Sequence, residues 1–254
     1  MTPHRALLLA IAMALAIPAA ALAQPMPGVC GLPARAARPA DAQPTYLPIP
    51  SWRERATLLE RELAARQGAR AGMLFLGDSI VEGWYQVVFD LFYAQRGAIN
   101  LGIGGDTTQG LLWRLARTPL NTLRPRLVVV LIGTNNLWPS KAPEDVAYGI
   151  GEVISQIRQR SPDSRILLLG LMPRGPGPEH PLRQLQQKVN TLIARCADGV
   201  SVFYADPGAL LLDAQGRLPA QIAQDFLHPS WVGYGILSGA LEPTIRRLLP
   251  PAAN

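Results

Sequence analysis

Five short apolar runs alternate along the chain with longer stretches whose apolar residues recur at helical spacing. Met73-Leu74-Phe75-Leu76 is apolar at every position, as a strand buried on both faces requires, and Gly77 ends the run. Ala98 to Gly102, Arg126 to Ile132, Arg165 to Leu171 and Val200 to Tyr204 read as four further strands. The intervening periodicity predicts a helix from about Trp52 to Gln67, ended by Gly68. A second runs from Val81 to Gln95 with an apolar stripe of Trp84, Val87, Val88, Leu91 and Phe92. Others run from Asp106 to Arg117, from Pro143 to the stop at Ser161-Pro162, from Leu182 to Ala197 and from Ser230 to Leu249. Strands and helices in strict alternation predict an α/β fold: a parallel sheet with helices on both faces.

The ends of the chain follow other rules. Residues 1–23 read as a secretory signal: Arg5, an apolar core from Ala6 to Ile17, and the small-residue site Ala21-Leu22-Ala23 before Gln24. An uncleaved anchor is the alternative, and Pro18 with the A-x-A ending favours cleavage. The expectation is a periplasmic or secreted protein without a stable membrane anchor. Residues 24–50 carry seven prolines, too many for a helix or a central strand, and predict an extended arm. Export gives Cys30 and Cys196 two readings, one long-range disulfide or two buried thiols.

Composition then narrows the chemistry. At 254 residues and 48% hydrophobic, the chain is ample for one well-packed domain. Its formal charge of +6 comes from scattered basic residues, without a basic block or an aromatic-interleaved patch, which speaks against nucleic acid as a partner. No His/Cys/carboxylate cluster has metal-ligand spacing, and no phosphate-cradling G-x-x-x-x-G-K occurs, so no metal and no cofactor is expected.

Candidate chemistry gathers at the carboxyl ends of the first three strands, where open α/β sheets place their ligands. Ser79 follows the first strand as a candidate nucleophile, unless Gly77-Asp78-Ser79 is only a turn. Gly105 and the backbone N–H of Ser79, with the Asn135 side-chain amide, supply three donors for a tetrahedral oxyanion. Asp106-Thr107-Thr108-Gln109 has capping-box spacing, so Asp106 is expected to cap a helix. His4 leaves with the signal, and His180 sits in a Pro/Gly-rich loop. His228 has Asp225 three residues before it, placed to hold one tautomer, and is the candidate base; a surface loop histidine is the alternative. Trp84, Trp138 and Trp231 lie in or near these segments, either to stack on sugars or as ordinary core and rim aromatics.

The blocks Gly77-Asp78-Ser79, Gly104-Gly105-Asp106, Gly133-Thr134-Asn135 and Asp225-x-x-His228 resemble those of the SGNH (GDSL) hydrolases, from about Met73 to the last helix. Asn100 to Thr108, Gly133 to Asn136 and Met172 to Gly175 are similar, within that superfamily, to the catalytic subunits of intracellular platelet-activating factor acetylhydrolases. The α/β-hydrolase elbow G-x-S-x-G does not match, because Val81 stands at its second glycine. The resemblance implies a three-layer flavodoxin-like fold with a five-stranded parallel sheet, occupying a hydrolase domain of residues 51–250. It implies Ser79, His228 and Asp225 as the catalytic set, with Ser79, Gly105 and Asn135 forming the oxyanion hole. It also implies a small acyl pocket bounded by Ile80, Thr134 and Leu227, and a homodimer. The function expected is an exported serine esterase acting on short acyl groups, acetyl first, of a small-molecule or glycan ester. The rivals are a carbohydrate or peptidoglycan O-acetylesterase, a lysophospholipase or thioesterase, and a non-catalytic envelope binding module.

Overall fold

A computed structural model describes residues 26–66 and 68–250; the signal-like stretch 1–23 lies outside the described residues. Helix α1 (Pro50–Ala65) begins on a proline, whose missing N–H a first turn does not need. Strand β1 (Met73–Gly77) follows and is buried at every position. One helical turn, α2 (Ser79–Glu82), leads to α3 (Gln86–Tyr93) and strand β2 (Ala98–Gly102). Next come α4 (Thr108–Leu115), the short α5 (Leu120–Leu123) and strand β3 (Leu127–Leu131), which is again buried throughout. Helix α6 (Pro143–Arg160), strand β4 (Arg165–Leu169), α7 (Pro181–Ile193), strand β5 (Val202–Ala205) and α8 (Trp231–Leu248) complete the chain.

The five strands pair in parallel in the order β2-β1-β3-β4-β5. That is the flavodoxin-like arrangement, and helices cover both faces: α3 packs on α8, while α6 packs on α4 and α7. Register puts Gly77 level with Gly102 on one side and Leu131 on the other. The loops after β1, β2 and β3 therefore leave the sheet at one height, side by side, at the switch point of the topology.

One predicted helix divides. The stretch from Val81 to Gln95 breaks at Gly83–Tyr85, and restarting at Gln86 changes which side chains face inward. Phe89 and Tyr93 are buried, whereas Val87 and Leu91 of the expected stripe are 68% and 74% exposed. The break also turns Trp84 into the core, where its indole N–H donates to Ser238 Oγ at 3.2 Å. That burial removes Trp84 from the aromatics available to a sugar.

The arm packs along α6 as far as Ala42 and then, from Thr45 to Leu47, against α4 and the start of α1. A disulfide joins Cys30 to Cys196, and Tyr148 donates to the carbonyl of Pro33. Arg35 and Arg38 pair with Asp145 and Glu152 of α6. A single 3-10 turn, Ala40–Ala42, buries Asp41 and Ala42. Among the described residues, no helix is long and apolar enough to cross a membrane.

Candidate active site

The nucleophile's position begins with Gly77. A Cβ there would lie 2.2 Å from the carbonyl of Leu131 and 2.4 Å from the Val81 side chain, so only glycine lets β1 turn into α2 this tightly. Asp78 caps α2, its Oδ1 accepting the Ile80 N–H at 3.0 Å. Ser79 is thereby the first residue of that turn, half-buried at the rim. Its Oγ lies 2.8 Å from His228 Nε2, and His228 Nδ1 lies 2.6 Å from Asp225 Oδ2. The other carboxylate oxygen, Oδ1, accepts the N–H groups of Leu227 at 3.0 Å and His228 at 2.8 Å.

A carboxylate only accepts, so Nδ1 carries the imidazole proton and Nε2 offers its lone pair to the serine hydroxyl. Burial alone would raise the Asp225 pKa, but the hydrogen bonds from His228 and the two amides outweigh it and hold the group below its ordinary value. The acid and base share one loop, in which Phe226 adopts a left-handed φ of 56°. A shallow depression of about 370 Å³ lined by Gln224, Asp225, His228 and Ser230 opens beside the pair.

The donors converge from the neighbouring loops. Gly105 has φ +73° and open space where a Cβ would stand, so its backbone is approachable. Among the described residues, no hydrogen bond uses the backbone N–H of Ser79 or of Gly105. Asn135 Nδ2 donates one hydrogen to the Asp106 carbonyl at 2.9 Å, which fixes the amide and leaves its second hydrogen free. Of the expected acyl-pocket residues, Ile80 and Thr134 are buried and Leu227 is half-buried. The hydroxyl of Thr134 is buried without a hydrogen-bond partner.

Asp106 is not the helix cap. Thr107 caps α4, its side chain accepting from the Gly110 N–H. Asp106 is instead buried in a polar core, where it accepts from Trp52 Nε1 at 3.0 Å and from Arg114 Nε at 2.7 Å. Arg114 Nη2 also donates to the Gly77 carbonyl at 3.0 Å, tying the serine turn to the glycine loop. Burial raises the pKa of Asp106 and pushes Asp78 up to about 7, against an ordinary 3.8.

Sequence reasoning passed over several supporting residues. Arg114 lies eight residues after Asp106, a spacing that announces no partnership, and only the folded chain shows it buried against that carboxylate. Arg174 donates to the Thr134 carbonyl at 2.9 Å, and the next residue's N–H bonds the Phe226 carbonyl at 2.9 Å. The loop after β4 thus braces both the asparagine loop and the histidine loop. Trp138 and Trp231 are exposed, Trp138 with Lys141 Nζ 4.5 Å above its ring. Among the described residues, no group of three His, Cys, Asp or Glu side chains is placed to hold a metal ion.

The GDSL-like lipase/acylhydrolase family matches residues 75–236, a span that contains every residue of this constellation. The human platelet-activating factor acetylhydrolase IB subunit alpha1 is 35% identical over 197 residues, 76% of this chain and 83% of the relative. The human alpha2 subunit is 37% identical over 180 residues, 70% of this chain and 77% of the relative. Among solved structures, a GDSL-like lipase from Bacteroides thetaiotaomicron superposes with a TM-score of 0.62 at 23% identity, over 76% of this chain and 98% of the other.

Proposed function

The chain belongs to the GDSL-like lipase/acylhydrolase family, and from that premise we propose that it is an exported serine esterase releasing short acyl groups, acetyl first. The observation that carries this reading is the unbroken chain from Ser79 Oγ through His228 to Asp225, at 2.8 and 2.6 Å. Ser79 attacks the ester carbonyl while His228 Nε2 takes its proton. The N–H groups of Ser79 and Gly105 and the free hydrogen of Asn135 Nδ2 receive the oxyanion. Collapse expels the alcohol, which leaves with the proton from His228. A water deprotonated by the same nitrogen then frees the carboxylic acid and restores Ser79.

Two observations support an acetyl preference. The relatives at 35–37% identity are named acetylhydrolases. Branched side chains at Ile80, Thr134 and Leu227 stand close to the reacting groups in sequence. Export is supported by the signal-like residues 1–23 and by the Cys30–Cys196 disulfide, a bond that persists in oxidising compartments. Trp138, exposed shortly after Asn135, favours a glycan acetyl ester as the second reading.

The test is hydrolysis of p-nitrophenyl acetate against the octanoate and palmitate esters, with fluorophosphonate labelling of wild type and Ser79→Ala. Acetate should be preferred, and labelling should vanish in the variant. Preference for palmitate would defeat the short-chain reading, and an unlabelled wild type would defeat the serine mechanism. Acetylated xylan and acetylated phospholipid, assayed side by side, separate the glycan reading from a lipid one. Amino-terminal sequencing of protein from the periplasm or medium should begin at Gln24; an intact Met1 there would contradict cleavage.

A further inference from the structure

One residue of the amino-terminal arm, outside the span matched by the family, reaches the loops that carry the oxyanion donors. Asp41 is fully buried. Its Oδ1 accepts from Asn136 Nδ2 at 2.6 Å, its Oδ2 pairs with Lys141, and its backbone carbonyl accepts from Thr108 Oγ1 at 2.8 Å. A Cβ on Gly149 of α6 would lie 2.6 Å from that same carbonyl, so the arm and the helix meet backbone to backbone. The disulfide and the two arginine pairs to α6 hold the arm ahead of this contact, and the Thr45 N–H, donating to the Gln109 carbonyl at 3.1 Å, holds it after.

Asn136 is the point through which Asp41 acts. Its Oδ1 accepts the Thr108 N–H at 3.1 Å, clamping the loop after β3 to the start of α4. Its neighbour Asn135 makes the parallel tie, to the Asp106 carbonyl. Two successive asparagines therefore lace the Asn135 loop to the Gly105 loop. An amide group has nearly the same shape with its oxygen and nitrogen exchanged, so something must choose. Asn136 Nδ2 also faces Thr108 Oγ1 at 2.9 Å and Gln109 Oε1 at 2.8 Å, but a hydroxyl and a second amide can each turn round to donate. The Asp41 carboxylate cannot. It demands an N–H just as the Thr108 backbone N–H demands an oxygen, and the two together fix the Asn136 amide with its oxygen on Thr108 and its nitrogen on Asp41.

A buried ion pair such as Asp41–Lys141 gains little stability over apolar residues of similar size, and its best-attested use is to specify one arrangement. We propose that Asp41 is a positioning residue of the oxyanion hole: through Asn136 it holds the Gly105 and Asn135 loops at the spacing where their donors meet one oxygen. The proposal rests on the esterase reading for its kinetic consequence but not for its geometry. A displacement of about 1 Å in such a site costs up to about 10²-fold in turnover.

The experiment compares full-length, disulfide-bonded wild type with Asp41→Ala, Asp41→Asn, Asn136→Ala and the Asp41→Ala/Asn136→Ala double variant. Leu63→Ala, a buried change in α1, controls for lost stability. Turnover of p-nitrophenyl acetate is read alongside affinity for an alkylboronic acid, whose tetrahedral adduct on Ser79 occupies the same donors. Asp41→Ala should lower kcat about 10–100-fold with KM within about twofold, and weaken the boronate by the same factor. Asp41→Asn, which can still accept from Asn136, should recover part of the loss. The double variant should be no worse than Asn136→Ala, since coupled residues are not additive.

A folded Asp41→Ala with wild-type kcat and boronate affinity overturns the proposal. So does an equal loss in Leu63→Ala, or full additivity in the double variant. Should Asp41→Ala fail to fold, an Asn136→Ala variant with wild-type kcat and boronate affinity overturns it instead. A wild type that hydrolyses no ester yet binds the boronate with this Asp41 dependence would sink the esterase reading and sustain this one.

Discussion

Replacing Asp225 by Asn probes the site most directly, because the two carboxylate oxygens do different work. Oδ1 holds the N–H groups of Leu227 and His228, and Oδ2 holds the imidazole. An amide in this place keeps its oxygen on the two N–H groups, since the reverse would press an NH₂ against two donors. Its NH₂ then faces Nδ1, which must become an acceptor. The ring proton moves to Nε2 and points at Ser79 Oγ, 2.8 Å away. The base is then in position but blocked. Escape requires turning the amide round, which strands two donors at about 1–3 kcal/mol each. Together that is about 2–6 kcal/mol, and at about 1.4 kcal/mol per factor of ten it is a loss of about 30-fold to about 10⁴-fold in kcat/KM. Coulomb attraction is a smaller part of this, because the side chains of Asp225 and His228 are 55% and 43% exposed and solvent screens them. Asp225→Ala leaves the ring free to take either tautomer and should lose less than Asp225→Asn, although it removes more atoms. The assay is p-nitrophenyl acetate hydrolysis with thermal unfolding measured in parallel, and Tm should barely move. An Asn variant that keeps more than about a tenth of wild-type turnover, or that outperforms Ala, refutes the tautomer argument.

Other perturbations test the scaffold around the site. The folded protein binds the Asp78 proton more tightly than the unfolded chain does, so this group's contribution to stability falls as pH rises from about 4 to about 7. Asp78→Asn should therefore raise Tm at pH 8 and not at pH 4; a gain that persists on acidification counts against a buried, protonated Asp78. Gly105→Ala meets no neighbour but forces a left-handed φ on a residue with a Cβ, so urea unfolding should show a loss of about 1–2 kcal/mol. A loss beyond about 4 kcal/mol would imply a clash at this open position. The Cys30–Cys196 bridge spans 166 residues, and replacing both cysteines by serine should cost about 2–4 kcal/mol. No change in urea midpoint would mean that the other arm contacts suffice.

Much of the fold was legible because its signals are local. Strands β1 and β3 are uniform apolar runs, and a strand buried on both faces needs no other information. The phase of α3 was not legible, because three residues at Gly83–Tyr85 reset which side faces the core. Asp106 reads as a cap from its neighbours and becomes a core carboxylate only because Trp52, 54 residues away, and Arg114 converge on it. The same blindness hid Asp41: prolines announce an extended arm but say nothing of where it lands. Ser79, Asp225 and His228 stood out because each is a chemically reactive type beside a glycine or an acid. Arg174 and Asn136 did not, because a bracing residue is recognised only by what it touches.

His228 and its carboxylate lie within one turn of chain, and both amides that hold Asp225 belong to that same turn. Half of the reactive machinery is therefore self-contained, assembled from neighbours rather than recruited across the sheet. Lengthening the irregular segment between β5 and this turn would reshape the mouth above Ser79 while carrying the acid and its imidazole along intact. A scaffold wired in this way can trade one ester for another by growing a loop, without relearning how to move a proton.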